Sequence, residues 1–200
     1  MVRPQYHLNG HTIEGPAIPL FVEDTHGYVK ADLRGYKLLP ERWTVQWNWF
    51  VPTTATTPQS SRLIDTKMAR PLMIVPGLPG GSSALSTLKK GVELGLPSGQ
   101  SVARAIGIAP MDDAQNEPLW YYVLREAEEQ GGRNLGPVGS RIVAEVLIGL
   151  MLADKDSYLV AAPGWTPTLP NSDGVQSGDF DLADLLKFAG MPMDFDDLPA

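Results

Sequence analysis

The chain has 200 residues, a hydrophobic fraction of 43%, a charged fraction of 20% and no cysteine. This length and composition are typical of one folded domain of ordinary size. The absence of cysteine excludes disulfides, thiolate metal sites and cysteine nucleophiles. The formal charge of −7 is concentrated in residues 171–200, which contain seven aspartates and one lysine. We expect no nucleic-acid partner, because such a partner requires clustered basic residues.

Two features predict a protein without a membrane span. The longest apolar stretch, Ile142 to Ala153, has 12 residues and contains Glu145, whereas a spanning helix needs about 20. The N-terminus has no apolar region of the kind found in signal peptides. As written, the chain predicts a cytoplasmic location.

Residues 1–60 contain six prolines and no sustained helical period, which predicts a long irregular N-terminal arm. Within it, Trp43, Trp47 and Trp49 fall at alternate positions around Val45. An extended backbone would place the three indoles on one face. That face is either packed on a core or exposed as an aromatic binding platform, and the sequence leaves both alternatives open.

Residues 61–190 predict a helical region. The segment Arg62 to Ile74 is interpreted as a helix broken at Pro71. The next helix follows Ser82 or Ser83 as its N-cap, and a third follows Ser98. Apolar residues recur at helical spacing along these helices at Leu85, Leu88, Val92, Leu96, Val102, Ala105 and Ile106.

Three further helices complete this region, so the fold class is mostly α. One starts near Pro118 and ends at Gly131 and Gly132. Another runs from Val138 to about Ala153 and is apolar around most of its circumference, which predicts burial on most sides; Leu147→Ala is then expected to cost about 2–5 kcal/mol. A last helix is capped by Asp179 or Asp181 and stopped by Gly190. Residues 191–200 form an acidic tail.

Short motifs in the sequence carry little chemistry. His7 and His11 have a metal-binding spacing, but nearby Pro4 and Gly10 exclude the helix that this spacing needs, so we expect no metal site. The string from Ser86 to Lys89 matches S-x-x-K without the other elements of serine acyltransferases. The glycine-rich loop 76–83 lacks the Gly-Lys-Ser/Thr ending of a phosphate loop.

Longer segments of the sequence are more specific indicators of relationship than these short motifs. The run LGLPSGQSVARA at residues 94–105 resembles the animal-type haem peroxidases, in particular their bacterial branch. The resemblance continues, in order and spacing, over essentially the whole chain, through PLWYYVLREA at 118–127, LGPVGSRIVAE at 135–145, YL at 158–159, PGWTP at 163–167 and residues 180–190. It implies the C-terminal part of the animal haem peroxidase helical fold.

The resemblance also implies which parts of the haem site are present. The family's proximal helix reads approximately Arg-Phe-Gly-His-Ser-Met-Val-Arg, and this chain begins Met1-Val2-Arg3, two residues after the iron ligand. No catalytic residue or iron ligand is therefore expected within the chain. Thr87 stands where the family usually has an Asn that accepts the proximal imidazole N–H, and Lys90 where it tends to have an Arg paired with a haem propionate.

The function implied by the resemblance is peroxide-dependent oxidation by haem b. The chain alone is expected to be inactive, and its expected partner is an N-terminal peroxidase segment or another haem-bearing protein. Without that partner, the helices around Leu85 and Val92 are expected to expose apolar surface. The alternative is a non-catalytic helical interaction module that binds a protein through the face of Trp43, Trp47 and Trp49 or through the acidic tail.

Overall fold

The computed structural model describes residues 2–9, 17–21, 32–33, 38, 40, 43–52, 58, 60–111, 115–171 and 179–191. Helices predominate in these residues, which confirms the predicted mostly α class. No helix among them is long and apolar enough to cross a bilayer. The elements in chain order are β1 Gln5–Tyr6, β2 Ile18–Pro19, a 3₁₀ helix Trp47–Trp49, α1 Arg70–Met73, α2 Ser83–Glu93, α3 Gly99–Ala105, α4 Leu119–Glu129, α5 Pro137–Ala153, α6 Tyr158–Ala161 and α7 Leu182–Phe188.

The chain divides into two compact units. The first comprises Met1–Pro4 and Ser61–Ala161, and it contains α1 to α6. The second comprises Gln5–Ser60 and Ala162–Ala200, and it contains the two strands, the 3₁₀ helix and α7. The candidate site described below lies entirely within the first unit.

Three helices begin at capping residues that the sequence predicted. The hydroxyl oxygens of Ser82 and Ser98 each accept the backbone N–H three residues later, at 3.3 and 3.2 Å. Asp181 and Asp184 form a capping box in which each carboxylate accepts the other residue's N–H at 3.0 Å. Such caps satisfy donors that have no partner inside the helix. The predicted end of the last helix is also confirmed, because Gly190 has a positive φ of 68°.

The core of the first unit is the crossing of α3, α4 and α5. Ala103, Tyr122 and Val138 are completely buried there and contact one another. The Tyr122 hydroxyl accepts the backbone N–H of Met111 at 3.1 Å. A Cβ on Gly99 would lie 2.0 Å from Cγ of Tyr122. α3 therefore approaches α4 closely only because residue 99 is glycine.

A buried carboxylate joins α4 to the start of α5. Glu126 is 2% exposed, and its oxygens accept the backbone N–H of Val138 at 3.0 Å and that of Gly139 at 3.2 Å. These N–H groups belong to the first turn of α5, where no intrahelical acceptor exists. Gly136 leaves room for the carboxylate, since a Cβ on it would lie 2.2 Å from Cγ of Glu126. Glu126 thus acts as the cap that α5 lacks in its own sequence.

The prediction that α5 is buried on most sides is wrong. Val138 and Gly139 are buried, and Ile142 packs against the core. Beyond residue 142, six large apolar side chains are between 44% and 65% exposed: Val143, Val146, Leu147, Ile148, Leu150 and Leu152. The physical reason is that apolar composition predicts burial only where a neighbouring element exists, and the described chain covers chiefly the first turns of this helix.

The corrected burial changes the expected effect of truncating side chains in α5. Val138→Ala should lower the free energy of unfolding by about 1–3 kcal/mol, because it removes two fully buried methyl groups and leaves a cavity. Leu147→Ala should cost the monomer less than about 1 kcal/mol rather than the predicted 2–5, since Leu147 is 56% exposed. Urea denaturation of both variants in dilute solution tests this, and equal losses would contradict the burial described here.

The predicted helix broken at Pro71 is also wrong. Residues 61–69 have no regular secondary structure, and α1 begins with Pro71 in its first turn. Proline suits that position because it needs no intrahelical acceptor. The preceding segment is held instead by α4, since the backbone N–H and the hydroxyl of Thr66 donate to Oε2 of Glu128 at 2.9 and 2.5 Å.

This contact makes stability depend on pH at the acid end. Donation from the Thr66 hydroxyl and backbone N–H, with help from the charge of Lys67, holds the pKa of Glu128 below its ordinary value. The contribution of this contact to the stability of the fold is therefore present above the unfolded-state pKa of Glu128. It is lost as the pH falls through the lower folded-state pKa. We expect the difference in Tm between the wild type and Glu128→Gln to shrink on acidification. Glu129→Gln, which removes a half-exposed carboxylate from the neighbouring position of α4, is the matched control for the change in net charge.

In the second unit, β1 pairs with β2 in antiparallel register, with Tyr6 opposite Ile18. Trp43 is 6% exposed and packs with Leu8 and Ile18 beside this pair.

The three tryptophans do not share one face, so that prediction is wrong. Trp47 and Trp49 lie in a 3₁₀ helix rather than an extended segment, and two residues on such a helix point in different directions. Trp47 packs against Val51 and two residues of α7, Ala183 and Leu186. The alternation of the tryptophans predicted an extended segment incorrectly, because an extended conformation needs a pairing strand to stabilise it.

Several residues considered in the sequence lie outside the described part: His11, His26 and residues 192–200 of the acidic tail. Among the described residues, no group of three or more His, Cys, Asp or Glu side chains could hold a metal ion.

Candidate functional site

One wall of the candidate site is a face of α2. Thr87, Leu88, Gly91 and Val92 lie on neighbouring turns of this helix. α2 ends where Gly95 adopts a φ of +64° and the N–H of the next residue, Leu96, returns to the carbonyl of Gly91 at 2.9 Å. This is the geometry of a glycine-terminated helix end. It folds Leu96 back along the same face.

The opposite wall is the turn that leads into α4, and a polar network fixes it. The fully buried Gln100 accepts the N–H of Glu117 at 3.0 Å and donates to its carboxylate at 3.3 Å. The N–H of Gly99 donates to the Glu117 carbonyl at 2.9 Å. Arg125 forms an ion pair with the same carboxylate at 3.1 Å. These contacts tie residues 116–118 to both α3 and α4.

Between these walls lies an open, mainly apolar groove of about 530 Å³. Its volume is in the range of about 300–1,000 Å³ that small-molecule and cofactor sites occupy. Ser98, Asn116 and Glu117 give it one polar edge. The complete lining is Thr87, Leu88, Gly91, Val92, Leu96, Pro97, Ser98, Asn116, Glu117, Pro118, Leu119, Trp120, Val123 and Ile142.

The two residues that the resemblance assigns to the haem site, Thr87 and Lys90, lie in different surroundings. Thr87 lines the groove, and its hydroxyl donates to the Ser83 carbonyl at 2.9 Å, which leaves its oxygen lone pairs available to accept. Lys90 lies outside the described lining, and its amine pairs with Glu93 at 3.3 Å with both side chains about two-thirds exposed. Such an exposed pair is weak and easily exchanged.

The groove fits part of what haem requires. Its walls supply apolar surface, and Thr87 supplies an acceptor of the kind that an imidazole N–H takes. The described lining residues include no histidine, cysteine, methionine or tyrosine, which are the side chains that ligate haem iron. An iron ligand would therefore come from outside this lining.

Sequence reasoning found one wall of the site and missed the other. Thr87 and the apolar positions of α2 were identified, whereas the network of Gln100, Glu117 and Arg125 was not. A weak signal exists only for Glu117, which directly precedes the predicted start of a helix at Pro118. No pattern in the sequence indicates that Gln100 is buried.

Comparison with known proteins gives no match to a family model, a curated protein or a solved structure.

Proposed function

We propose that this chain is the C-terminal portion of a bacterial animal-type haem peroxidase, in which it forms the proximal-side scaffold of a haem b site. The iron ligand is carried by an N-terminal peroxidase segment or another haem-bearing partner. One observation carries the proposal: Thr87, which the resemblance assigns to the proximal ligand's hydrogen bond, lines an apolar groove of cofactor size. Bound haem would supply peroxide-dependent oxidation of a donor.

The chain's own residues have defined tasks in this proposal. The Thr87 hydroxyl accepts the imidazole N–H of the partner's ligand and so orients it. Lys90 exchanges Glu93 for a haem propionate, as a point charge without the two-pronged geometry of arginine. Val92, 81% exposed, and Leu96, 50% exposed, shield the bound group from water.

The isolated chain should not bind haem with the spectrum of a proximal histidine. Hemin titration should give no sharp Soret band, because the lining residues contain no iron ligand. Co-expression with an upstream segment ending in Gly-His-Ser should give that band, and Thr87→Val should shift the haem midpoint potential relative to a Ser86→Val control. A sharp band from the chain alone that disappears when His7, His11 or His26 is replaced would overturn the proposal.

A second candidate function is a non-catalytic helical interaction module. The exposed apolar residues of α5 favour it, since contiguous apolar surface marks interaction sites. The module would use α5 rather than the tryptophans, because Trp43 is buried in the second unit. This candidate is favoured over the first if no co-expressed upstream segment restores haem binding and if α5 captures a protein.

A further inference from the structure

The polar edge of the groove contains an acidic side chain that is held in place by one of its two oxygens. Glu117 is the one charged residue among the described lining residues. Its side chain is 12% exposed, and its Oε2 receives the Gln100 amide at 3.3 Å and the Arg125 guanidinium at 3.1 Å. No described residue donates to Oε1, and this atom is not sealed from solvent. One carboxylate oxygen is therefore available to a molecule in the groove.

The charges around Glu117 do not balance. The Arg125 guanidinium also lies 3.9 Å from Oε1 of Glu129, so two carboxylates share one cation and one negative charge is left over. Lys90 does not compensate it, because its amine pairs with Glu93 at 3.3 Å outside the described lining. A negative charge beside apolar walls attracts a cation and repels an anion.

Two further lining residues offer contacts that suit an ammonium group. An ammonium has three donors and no acceptor. The side chain of Asn116 is exposed and has no hydrogen-bond partner among the described residues, so its amide oxygen can accept a second donor. Trp120 adds an indole to the same lining, and indole is the aromatic ring that attracts cations most strongly.

We propose that the groove of the first unit binds a small organic cation, an amine with a hydrocarbon body, whose ammonium group donates to Oε1 of Glu117. The hydrocarbon lies between the apolar side chains of α2 and those of α4, and its removal from water drives binding. Glu117 determines which end of the ligand lies at the polar edge. Apolar walls with a few placed polar groups are typical of small-molecule sites.

The network behind Glu117 prepares the carboxylate for this task. Gln100 and Arg125 hold Oε2, and the backbone N–H of Glu117 donates to the buried Gln100 at 3.0 Å. The position of Oε1 is thereby fixed before a ligand arrives, which reduces the entropy that binding costs. Gln100 and Arg125 are positioning residues, since neither is among the described lining residues.

This inference does not rest on the proposed function, although the two concern the same groove. A haem-bearing partner and the amine would compete for it, so weaker amine binding in the haem-loaded complex is expected if both hold. Amine binding that is unchanged in that complex would overturn the groove as the haem face and leave the amine site intact. Failure of the chain alone to bind the amine would overturn this inference and leave the haem proposal standing.

Isothermal titration calorimetry of the full chain with n-decylamine tests the proposal, at neutral pH and below the concentration at which the amine forms micelles. We expect saturable, equimolar binding. n-Decanol keeps the hydrocarbon without the charge and n-decanoate reverses the charge, so both should bind at least about tenfold more weakly. n-Butylamine keeps the charge but loses most of the apolar surface, and it should also bind weakly. Equal affinities of the amine, the alcohol and the carboxylate would overturn the proposal.

Glu117→Gln tests the carboxylate itself. The variant should bind n-decylamine about tenfold more weakly and should lose the preference for the amine over n-decanol. Glu145→Gln removes the same charge from an exposed position of α5 outside the described lining and should leave both affinities unchanged. Circular dichroism establishes that the variants remain folded. An equal loss of affinity for the amine and the alcohol would show a structural role only and would contradict the assignment of Glu117.

Gly91→Leu tests the apolar wall without altering the network of Glu117. The new side chain fills part of the groove, so n-decylamine should bind about tenfold more weakly or not at all. Ser86→Leu adds the same bulk to α2 outside the described lining and should bind as the wild type does. Binding that survives Gly91→Leu but is lost in Leu147→Ser would place the amine on the exposed half of α5 and overturn the proposal.

Discussion

Replacing Gly99 by alanine should lower the free energy of unfolding by about 3 kcal/mol or more, the upper end of the range for overpacked cores. The new Cβ would lie 2.0 Å from Cγ and 2.2 Å from Cβ of Tyr122. Neither side can yield easily. The Tyr122 ring is fully buried and its hydroxyl accepts the Met111 N–H, while the N–H of Gly99 is bound to the Glu117 carbonyl.

The matched control is Gly149→Ala, which makes the same chemical change in the open half of α5. No atom lies within 4 Å of the position that its Cβ would take, so the better helix propensity of alanine should stabilise the monomer by up to about 1 kcal/mol. Urea denaturation of the dilute protein should therefore show changes of opposite sign. A Gly99→Ala variant that is no less stable than the wild type would show that the close contact with Tyr122 does not govern the crossing of α3 and α4.

The second large effect is expected at Glu126. Glu126→Ala should cost about 2–4 kcal/mol, because it leaves the buried N–H groups of Val138 and Gly139 without their acceptor. Glu129→Ala, on the exposed side of the same helix, should change stability by less than about 0.5 kcal/mol. Thermal and urea denaturation followed by circular dichroism measure both.

Glu126→Gln separates the hydrogen bonds from the charge. The amide keeps one acceptor oxygen but presents an NH₂ group where the second oxygen was. The free energy of unfolding of Glu126→Gln should therefore lie between those of the wild type and Glu126→Ala. A glutamine variant as stable as the wild type would show that the negative charge at the start of α5 contributes nothing. An alanine variant without loss would contradict the capping role itself.

Local chemistry explains what the sequence predicted correctly. Ser82, Ser98 and Asp181 cap helices whose first turns follow directly, and a cap depends on a backbone donor only two or three residues away. Glycines with positive φ end helices for the same local reason. These features require no knowledge of the tertiary structure, so the sequence alone was sufficient to locate them.

The incorrect predictions depended on distant neighbours. α5 is apolar all round, but which of its faces has a neighbour is a property of the assembled chain. Trp43 and Trp47 alternate like strand residues, yet the nearest strands are two residues long and pair with each other. Glu126 has the appearance of an ordinary surface acid in the sequence of α4. Its capping role emerges only when the first turn of α5 comes within hydrogen-bonding distance.

The candidate site shows the same division between local and distant information. The apolar face of α2 follows from spacing along one helix, whereas Thr87 was identified through the family resemblance alone. The second wall depends on Gln100, Glu117 and Arg125 meeting across two helices and a turn. A buried amide that forms hydrogen bonds with both the backbone and the side chain of one glutamate produces no periodic pattern in the sequence.

The position of Trp120 gives the first unit an optical reporter of its own. It is half-buried in the groove wall, whereas the chain's other four tryptophans, Trp43, Trp47, Trp49 and Trp165, belong to the second unit. With those four replaced by phenylalanine, the remaining emission comes from a single indole beside the groove. A porphyrin bound in the groove quenches this emission by energy transfer, whereas an empty groove leaves it unchanged. The intensity of one fluorophore thus reports binding in the groove without any enzymatic assay.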